Sequence, residues 1–193
     1  MADAITRVSR ARDGFVIPQD ELWVFGYGSL MWDPGFTHDH ACAALLRGYH
    51  RAFCIYSVRF RGTQDKPGLV LGLNRGGACR GIAFRVPAAH VADAVEALWA
   101  REMPSASYVP RSVRLALGDR TVDALAFVAN TRHERYVGGL AFDDTARLIA
   151  CGSGLRGPNT DYLCSTLRHL DALGVRDSSL RKLYRRVLEL QPE

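Results

Sequence analysis

The apolar positions of this chain follow one pattern in its first two thirds and another in its last third. Short aromatic or β-branched runs, bounded by glycine, proline and polar turns, indicate strands from about residue 22 and over residues 43–60, 69–73, 81–86, 112–117 and 122–128. The Asn-Arg-Gly-Gly segment at 74–77 has the composition of a hairpin connection. We expect it to join the strands on either side of it.

Helices are indicated where apolar residues recur every three or four positions. Val91, Val95, Leu98 and Trp99 share one face of a helix that starts at about Pro87 and stops before Pro104. Further helices are predicted near residues 143–151, 160–173 and 178–190. Because strands come mostly first and helices last, we expect an α+β fold with a mixed, largely antiparallel, β-barrel-like sheet and flanking helices.

Length and composition indicate one compact domain. The chain has 193 residues, of which 48% are hydrophobic and 23% are charged, as in ordinary globular proteins. Residues 1–20 are polar and mixed in character. We therefore expect a loosely ordered N-terminal lead-in over 1–20 and a single domain over 21–193.

The net charge narrows the class of partner. The formal charge of +5 is spread along the chain, except for a basic cluster on the last predicted helix that is typical of a solvated face. There is no RNA-binding signature, and no apolar run approaches the roughly 20 residues needed to span a bilayer. The charge is compatible with an acidic small-molecule substrate, and we expect neither a nucleic acid nor a membrane partner.

The five cysteines point to a reducing compartment. They form no Cys-x-x-Cys pair and are odd in number, which argues against a disulfide framework or a zinc cage. The basic N-terminus is not followed by the apolar segment of a signal peptide. We therefore expect free thiols and a cytoplasmic protein.

The first predicted strand ends in a glycine-rich segment, Gly26-Tyr27-Gly28-Ser29. Because Gly26 and Gly28 lack a Cβ, the backbone there can adopt a positive φ and let a ligand approach its N–H groups, while Tyr27 and Ser29 supply hydroxyls. The segment can therefore cradle a small polar group. On the Gly-x-Gly pattern alone, a tight turn between a core strand and a loop is the competing interpretation.

Glu102 is the most informative acidic residue. It follows Leu98 by four positions and Trp99 by three, so on a helix it shares the apolar stripe. Burial and the negative end of the helix dipole would both raise its pKa, which suits a general base near neutral pH. Alternatively, Glu102 turns outward at a frayed helix end and pairs with Arg101 or Arg111.

Two other groups of residues are weaker candidates. His38, His40 and His50, with Asp39, lack the spacing of a metal motif and are more typical of loop histidines, so we expect no metal site. Three glycines before the helix at 160 could form an anion nest or a lid over the site: Gly152, Gly154 and Gly157. The spacing matches no phosphate or dinucleotide motif, and the favoured interpretation is a helix–helix loop capped by Asn159.

Several of these segments together resemble the gamma-glutamylcyclotransferases, specifically the ChaC-like, glutathione-specific branch. The resemblance is carried by Tyr27-Gly28-Ser29-Leu30 and by Arg101-Glu102 at a helix end. It continues through Arg-Gly-Thr at 61–63 with Pro-Gly at 67–68, the run at 80–87, Tyr136 with Gly138, and the glycine, asparagine and tyrosine segment at 154–163. It covers about residues 22–190. Met103-Pro104 and Leu155-Arg156 depart from the pattern of some relatives.

The resemblance implies a role for each part of the site. Glu102 matches the family's catalytic acid/base, and the substrate-binding loop matches Val24, Phe25, Gly26, Tyr27, Gly28 and Ser29. Leu30 completes the loop motif. Tyr27 and Tyr108 can add hydroxyls to the site, although a core role with one satisfied hydroxyl is equally open for Tyr108.

The implied reaction is an intramolecular cyclisation. The α-amine of a gamma-glutamyl group closes on its own γ-carbonyl, so glutathione would yield 5-oxoproline and cysteinylglycine. No metal, nucleotide or redox cofactor is expected. Two alternatives remain open: a cyclotransferase for other gamma-glutamyl amines or dipeptides, and a non-catalytic module that binds gamma-glutamyl compounds.

Overall fold

The computed structural model describes residues 11–191. These residues contain nine strands: β1 (Ala11–Arg12), β2 (Phe15–Val16), β3 (Glu21–Gly26), β4 (His40–Ser57), β5 (Gly68–Pro87), β6 (Tyr108–Leu117), β7 (Arg120–Ala129), β8 (Ser153–Gly154) and β9 (Gly157–Pro158). They also contain four α-helices: α1 (Val91–Glu102), α2 (Phe142–Cys151), α3 (Asn159–Ala172) and α4 (Ser178–Glu189). Short 3-10 turns occupy Ser29–Met31 and Ala88–His90.

Five strands close into a barrel in the order β3, β5, β4, β6, β7. All neighbours are antiparallel except β3 and β7, which pair in parallel through Trp23 with Ala124 and Val24 with Leu125. The expected mixed, largely antiparallel barrel with flanking helices is confirmed. The helices predicted from apolar periodicity also form, within one to four residues of their expected ends.

The predicted hairpin at 74–77 is wrong, because residues 69–73 and 81–86 belong to one continuous strand, β5. Gly76 and Gly77 have positive φ, at 97° and 70°, and so does Gly48 on the facing strand, at 82°. These glycines allow both strands to bend together where their register shifts, between Arg47 and Tyr49. The chain therefore bends at this point without reversing.

The hydrophobic core has two parts that share the wall of the barrel. Phe25, Leu71 and Leu115 are buried within the larger cluster, which continues to α2, α3 and α4. On the other side of β3, the stripe of α1 packs through Leu98 and Trp99 in a second buried cluster. Alternating side chains of β3 serve both clusters, as the period of two of a strand requires. The end of β3 and the end of α1 are thereby brought together.

The N-terminal hairpin, β1 with β2, falls inside the segment that we expected to be a loose lead-in. Phe15 is buried and its ring lies 6.3 Å from that of Trp99. The Trp99 indole N–H also donates a hydrogen bond to Asp13 (2.6 Å). Residues 11–16 therefore pack on α1, whereas the first ten residues of the lead-in lie outside the described residues.

No helix in the described range, 11–191, is both long enough and apolar enough to cross a membrane.

Candidate active site

Glu102 is the last residue of α1 and lies on its inward-facing side. The buried positions of this helix are Val91, Ala94, Val95, Leu98 and Trp99, and the same spacing places Glu102 one turn after Leu98. Its side chain is only 15% exposed. The prediction that this acid follows the apolar stripe inward is confirmed by its position.

The surroundings of Glu102 favour its protonated form. Burial raises the pKa of the Glu102 carboxyl, and the positive charges of Arg101 and Arg156 partly oppose that rise. The buried hydroxyls of Tyr27, Tyr108 and Tyr162 are close enough to interact electrostatically with this carboxylate. A carboxyl whose pKa is raised in this way is a stronger proton acceptor than an exposed glutamate.

Arg101 joins Glu102 to the glycine-rich loop. Its Nε lies 3.2 Å from Glu102 Oε1, and its guanidinium donates hydrogen bonds to Ser29 Oγ (2.8 Å) and to the Asp33 carbonyl (2.5 Å). Glu102 therefore pairs with Arg101, as the alternative interpretation suggested, but it does so on the inward-facing side of α1 and not by turning outward. A planar guanidinium suits three directional contacts that a single ammonium cannot reproduce.

The glycines of the loop leave room for neighbouring aromatic side chains. We expected that the backbone at Gly26 and Gly28 could adopt a positive φ, but neither is among the positive-φ glycines. A Cβ at Gly26 would lie 3.0 Å from the Phe84 ring, and one at Gly28 would lie 2.9 Å from the Tyr162 hydroxyl. A larger residue at either position would therefore require the neighbouring aromatic side chain to shift.

Three apolar members of the predicted loop belong to the core. Val24 and Phe25 are completely buried, on opposite faces of β3, and Leu30 is buried beside α1. Their side chains are committed to packing. Any contact that they make with a ligand would involve the backbone.

Tyr27 and Tyr108 use their hydroxyl protons inside the protein. Tyr27 donates a hydrogen bond to the Phe127 carbonyl (2.7 Å), and Tyr108 donates one to the Leu71 carbonyl (2.8 Å). Burial raises the pKa of both phenols well above the ordinary range. Both remain protonated at neutral pH, and each keeps its oxygen as a hydrogen-bond acceptor.

Two residues absent from the predicted site, Tyr162 and Arg156, also interact with Glu102, and a third, Arg61, packs against Tyr162. Burial raises the pKa of Tyr162 to about 12, and the Arg61 guanidinium stands 5.5 Å from the centre of its ring. Arg156, from the β8–β9 turn, approaches Asp33 at 4.0 Å. The glycine and tyrosine pattern at 154–163 was visible in the sequence, but only the fold shows that it faces α1.

We expected Asn159 to cap the following helix, but its side chain has a different role. Its buried side-chain amide instead accepts a hydrogen bond from Leu69 N–H (2.6 Å) and donates one to the Leu69 carbonyl (2.8 Å). Pro158 occupies the N-cap position, and the preceding glycines form the β8–β9 hairpin. Asn159 therefore ties the start of α3 to the start of β5.

The histidines that we considered as metal ligands have other contacts. His38 packs against Phe84, and Asp39 forms a two-pronged ion pair with Arg85. Within residues 11–191, no three histidine, cysteine or acidic side chains are grouped closely enough to hold a metal ion.

The arrangement supports proton transfer rather than attack by a protein nucleophile. Burial raises the pKa of Cys54, the thiol near these tyrosines, to about 12, so it stays protonated at neutral pH. Ser29 Oγ accepts a hydrogen bond from Arg101. A reaction whose nucleophile is part of the substrate matches such a site.

Comparison with known proteins gives a consistent result. Residues 22–190 match the sequence profile of the ChaC-like protein family. A glutathione-specific gamma-glutamylcyclotransferase of Escherichia coli (strain K12) is 40% identical over 173 residues, which are 89% of this chain and 75% of that protein. A protein of the same name from Schizosaccharomyces pombe is 31% identical over 176 residues, 79% of this chain and 86% of that protein.

The fold also occurs in solved structures. A crystal structure of a gamma-glutamyl cyclotransferase specific to glutathione, from yeast, superimposes with a TM-score of 0.83 at 22% identity. The match covers 89% of this chain and 97% of the yeast protein. At this level of identity the likeness shows that the fold is shared.

Proposed function

The chain belongs to the ChaC-like protein family, and we propose that it is a glutathione-specific gamma-glutamylcyclotransferase. The observation that carries the proposal is Glu102, a buried carboxyl with a raised pKa beside the Tyr27–Leu30 loop. Its relatives in E. coli and S. pombe are named for this activity. The reaction is a lyase-type cleavage that degrades glutathione.

The substrate supplies its own nucleophile. A bond forms between the α-amine and the γ-carbonyl carbon of the glutamyl group, and the amide bond to cysteine breaks. The products are 5-oxoproline and cysteinylglycine, and no water is consumed. Because the reaction is intramolecular, the main tasks of the protein are to hold the substrate folded and to move two protons from the attacking nitrogen to the departing nitrogen.

Glu102 performs the proton transfer. As a carboxylate it takes a proton from the substrate ammonium, which frees the amine lone pair for attack. It then gives that proton to the nitrogen of the departing cysteine residue. The attacking nitrogen loses a second proton as it becomes the lactam N–H, and this proton passes to the same departing nitrogen, which leaves as an ammonium. A pKa raised by burial makes Glu102 a stronger base than an exposed glutamate and keeps proton return accessible near neutral pH.

The Tyr27–Leu30 loop and the nearby arginines bind the charged parts of the substrate. Backbone N–H groups of the loop hold a substrate carboxylate or the developing oxyanion. Glutathione carries two carboxylates and one ammonium, so the positive charge of Arg101 and Arg156 near Glu102 complements it. All five cysteines are free, which accords with a reducing cytoplasmic setting.

Isotope labelling separates cyclisation from hydrolysis. Purified protein is incubated with reduced glutathione in water enriched in oxygen-18, without added metal or nucleotide, and the products are followed by mass spectrometry. Cyclisation gives equal amounts of unlabelled 5-oxoproline and cysteinylglycine. Labelled glutamate would show hydrolysis and overturn the proposal.

Direct competition tests the choice of substrate. Glutathione and a gamma-glutamyl dipeptide such as gamma-glutamylalanine are supplied together, and the ratio of their kcat/KM values is read from the amounts consumed. A ratio strongly in favour of glutathione supports the proposed specificity. A ratio near one would assign the protein to general gamma-glutamyl compounds, and binding without turnover of either would indicate a binding module.

A further inference from the structure

Arg51 is a buried cation that contacts the active-site loop from outside the site. It lies on β4, and its side chain is only 5% exposed. Its Nε donates a hydrogen bond to the Tyr27 carbonyl and its Nη2 donates one to the Arg80 carbonyl, each at 2.6 Å. The proposed proton transfer makes no use of this side chain.

The charge on Arg51 is only loosely compensated. The ion-pair partner in contact with it is Asp177, whose carboxylate is 3.9 Å away and 26% exposed. Burying a guanidinium is costly unless its N–H groups are paired. Two short bonds to carbonyl groups, from two different segments, explain how the charge is tolerated and make its position well defined.

The contact with Tyr27 fixes the plane of one peptide group. The Tyr27 carbonyl belongs to the peptide that joins Tyr27 to Gly28, and none of the described peptide bonds is cis. In a trans peptide the N–H points away from the carbonyl. Holding the Tyr27 carbonyl towards Arg51 therefore directs the Gly28 N–H away from Arg51, in the loop segment that packs against Tyr162.

We infer that Arg51 is a positioning residue for substrate binding, because it fixes the orientation of the Gly28 N–H by holding the Tyr27 carbonyl. Asp177 supports Arg51 from the start of α4, where its carboxylate also accepts a hydrogen bond from Leu180 N–H. The predicted effect on substrate rests on the proposed function. The effect on the peptide plane does not.

The first experiment measures the peptide itself. In protein labelled with nitrogen-15 and carbon-13, the Gly28 amide signal is compared between the wild type, Arg51→Met and Arg47→Met. Arg47 is an exposed arginine on the same strand, so its replacement serves as the matched control. We expect a large shift of the Gly28 signal with Arg51→Met and none with Arg47→Met. An unmoved Gly28 signal in a folded Arg51 variant would overturn the inference.

The second experiment measures glutathione binding in the Glu102→Gln background, in which turnover is prevented and affinity can be read by calorimetry. We expect Arg51→Met to weaken binding at least tenfold and Arg47→Met to leave it unchanged. Arg51→Lys keeps the charge but cannot hold both carbonyls, and we expect an intermediate loss. It also serves as the test variant if Arg51→Met does not fold.

The two proposals fail differently in these experiments. If the wild type does not turn over glutathione and the Glu102→Gln parent does not bind it, the proposed function fails while the amide shift still tests Arg51. If glutathione binds equally well to the parent and to folded Arg51 variants, the positioning role is wrong. A lower folded fraction alone would reduce the number of binding sites without changing their affinity.

Discussion

At the scale of single residues, Glu102 shows how the buried acid of the proposed site costs stability. Its carboxyl is placed at the buried end of α1, where losing its proton is unfavourable. Arg101 limits that cost by pairing with it and also anchors the loop through Ser29. The same pair of residues therefore sets both the proton affinity of the site and its shape.

The stability of the protein should depend on pH through Glu102. Because its folded-state pKa is raised above the unfolded value, the folded state holds more protons between these two values, and stability falls as pH rises through that range. Glu102→Gln removes this dependence. Thermal unfolding at several pH values would test this. We expect the melting temperature of Glu102→Gln minus that of the wild type to increase from acidic to neutral pH.

Glu96→Gln is the matched control for this measurement. Glu96 lies on the same helix but is exposed, with 74% of its side chain accessible. We expect its melting-temperature difference from wild type to show no comparable rise over the same pH range. If the melting-temperature difference between Glu102→Gln and the wild type does not change with pH, the raised pKa of Glu102 is contradicted.

Removing Arg101 should change the pH dependence of turnover. Arg101 lowers the pKa of Glu102, so Arg101→Gln should move the acidic limb of the kcat–pH profile to higher pH. It should also weaken catalysis, since the contacts with Ser29 and Asp33 are lost. Steady-state kinetics across pH would test this, and Arg101→Lys should restore part of the shift. If the rate falls but the acidic limb of the kcat–pH profile does not move, Arg101 affects only the geometry of the loop and not the pKa of Glu102.

At the scale of elements, the site depends on how α3 is joined to the barrel. The buried Asn159 amide satisfies both backbone groups of Leu69 at the start of β5. The helix that it begins carries Tyr162, whose hydroxyl lies close to Gly28. The Asn159 side chain thus ties the start of α3 to the barrel beside the Tyr27–Leu30 loop.

Asn159→Ala should therefore be strongly destabilising. It leaves a buried N–H and a buried carbonyl without partners, for which we expect a loss of about 2 to 4 kcal/mol in the free energy of unfolding. Asn130 provides the control, because its amide also bonds backbone groups, of Ala106 and Arg132, but in an exposed setting. Its replacement by alanine should cost about 1 kcal/mol or less in denaturant titrations. Equal losses for the two variants would contradict the role assigned to burial.

The elements themselves were largely predictable from the sequence. Periodicity located α1 and placed Glu102 on its buried side, because that signal is local. The single long strand β5 was not predicted, since Gly76 and Gly77 are equally typical of a hairpin and only the pairing with β4 distinguishes the two. The role of Asn159 was missed for a similar reason: its partner, Leu69, is 90 residues away.

At the scale of the whole molecule, the closed barrel assembles the site from distant parts of the chain. The loop follows β3, Glu102 ends α1, and Tyr162 comes from α3. Nothing in the local sequence distinguishes Arg51 or Arg156 from an ordinary surface arginine, and only the fold shows that Arg51 contacts Tyr27 and that Arg156 approaches Asp33. A resemblance in motifs pointed to Glu102 and the loop, but local patterns carry no information about such long-range contacts.

Turnover of reduced glutathione by the wild type, Glu102→Gln and Glu96→Gln tests the central claim most directly. Formation of 5-oxoproline and cysteinylglycine is followed by mass spectrometry, and folding is checked by circular dichroism. We expect equal amounts of both products from the wild type and from Glu96→Gln. A folded Glu102→Gln protein should lose roughly a hundredfold to ten-thousandfold in rate, because the proton acceptor is gone. Turnover near the wild-type rate in that variant would contradict the role of Glu102 as the catalytic base.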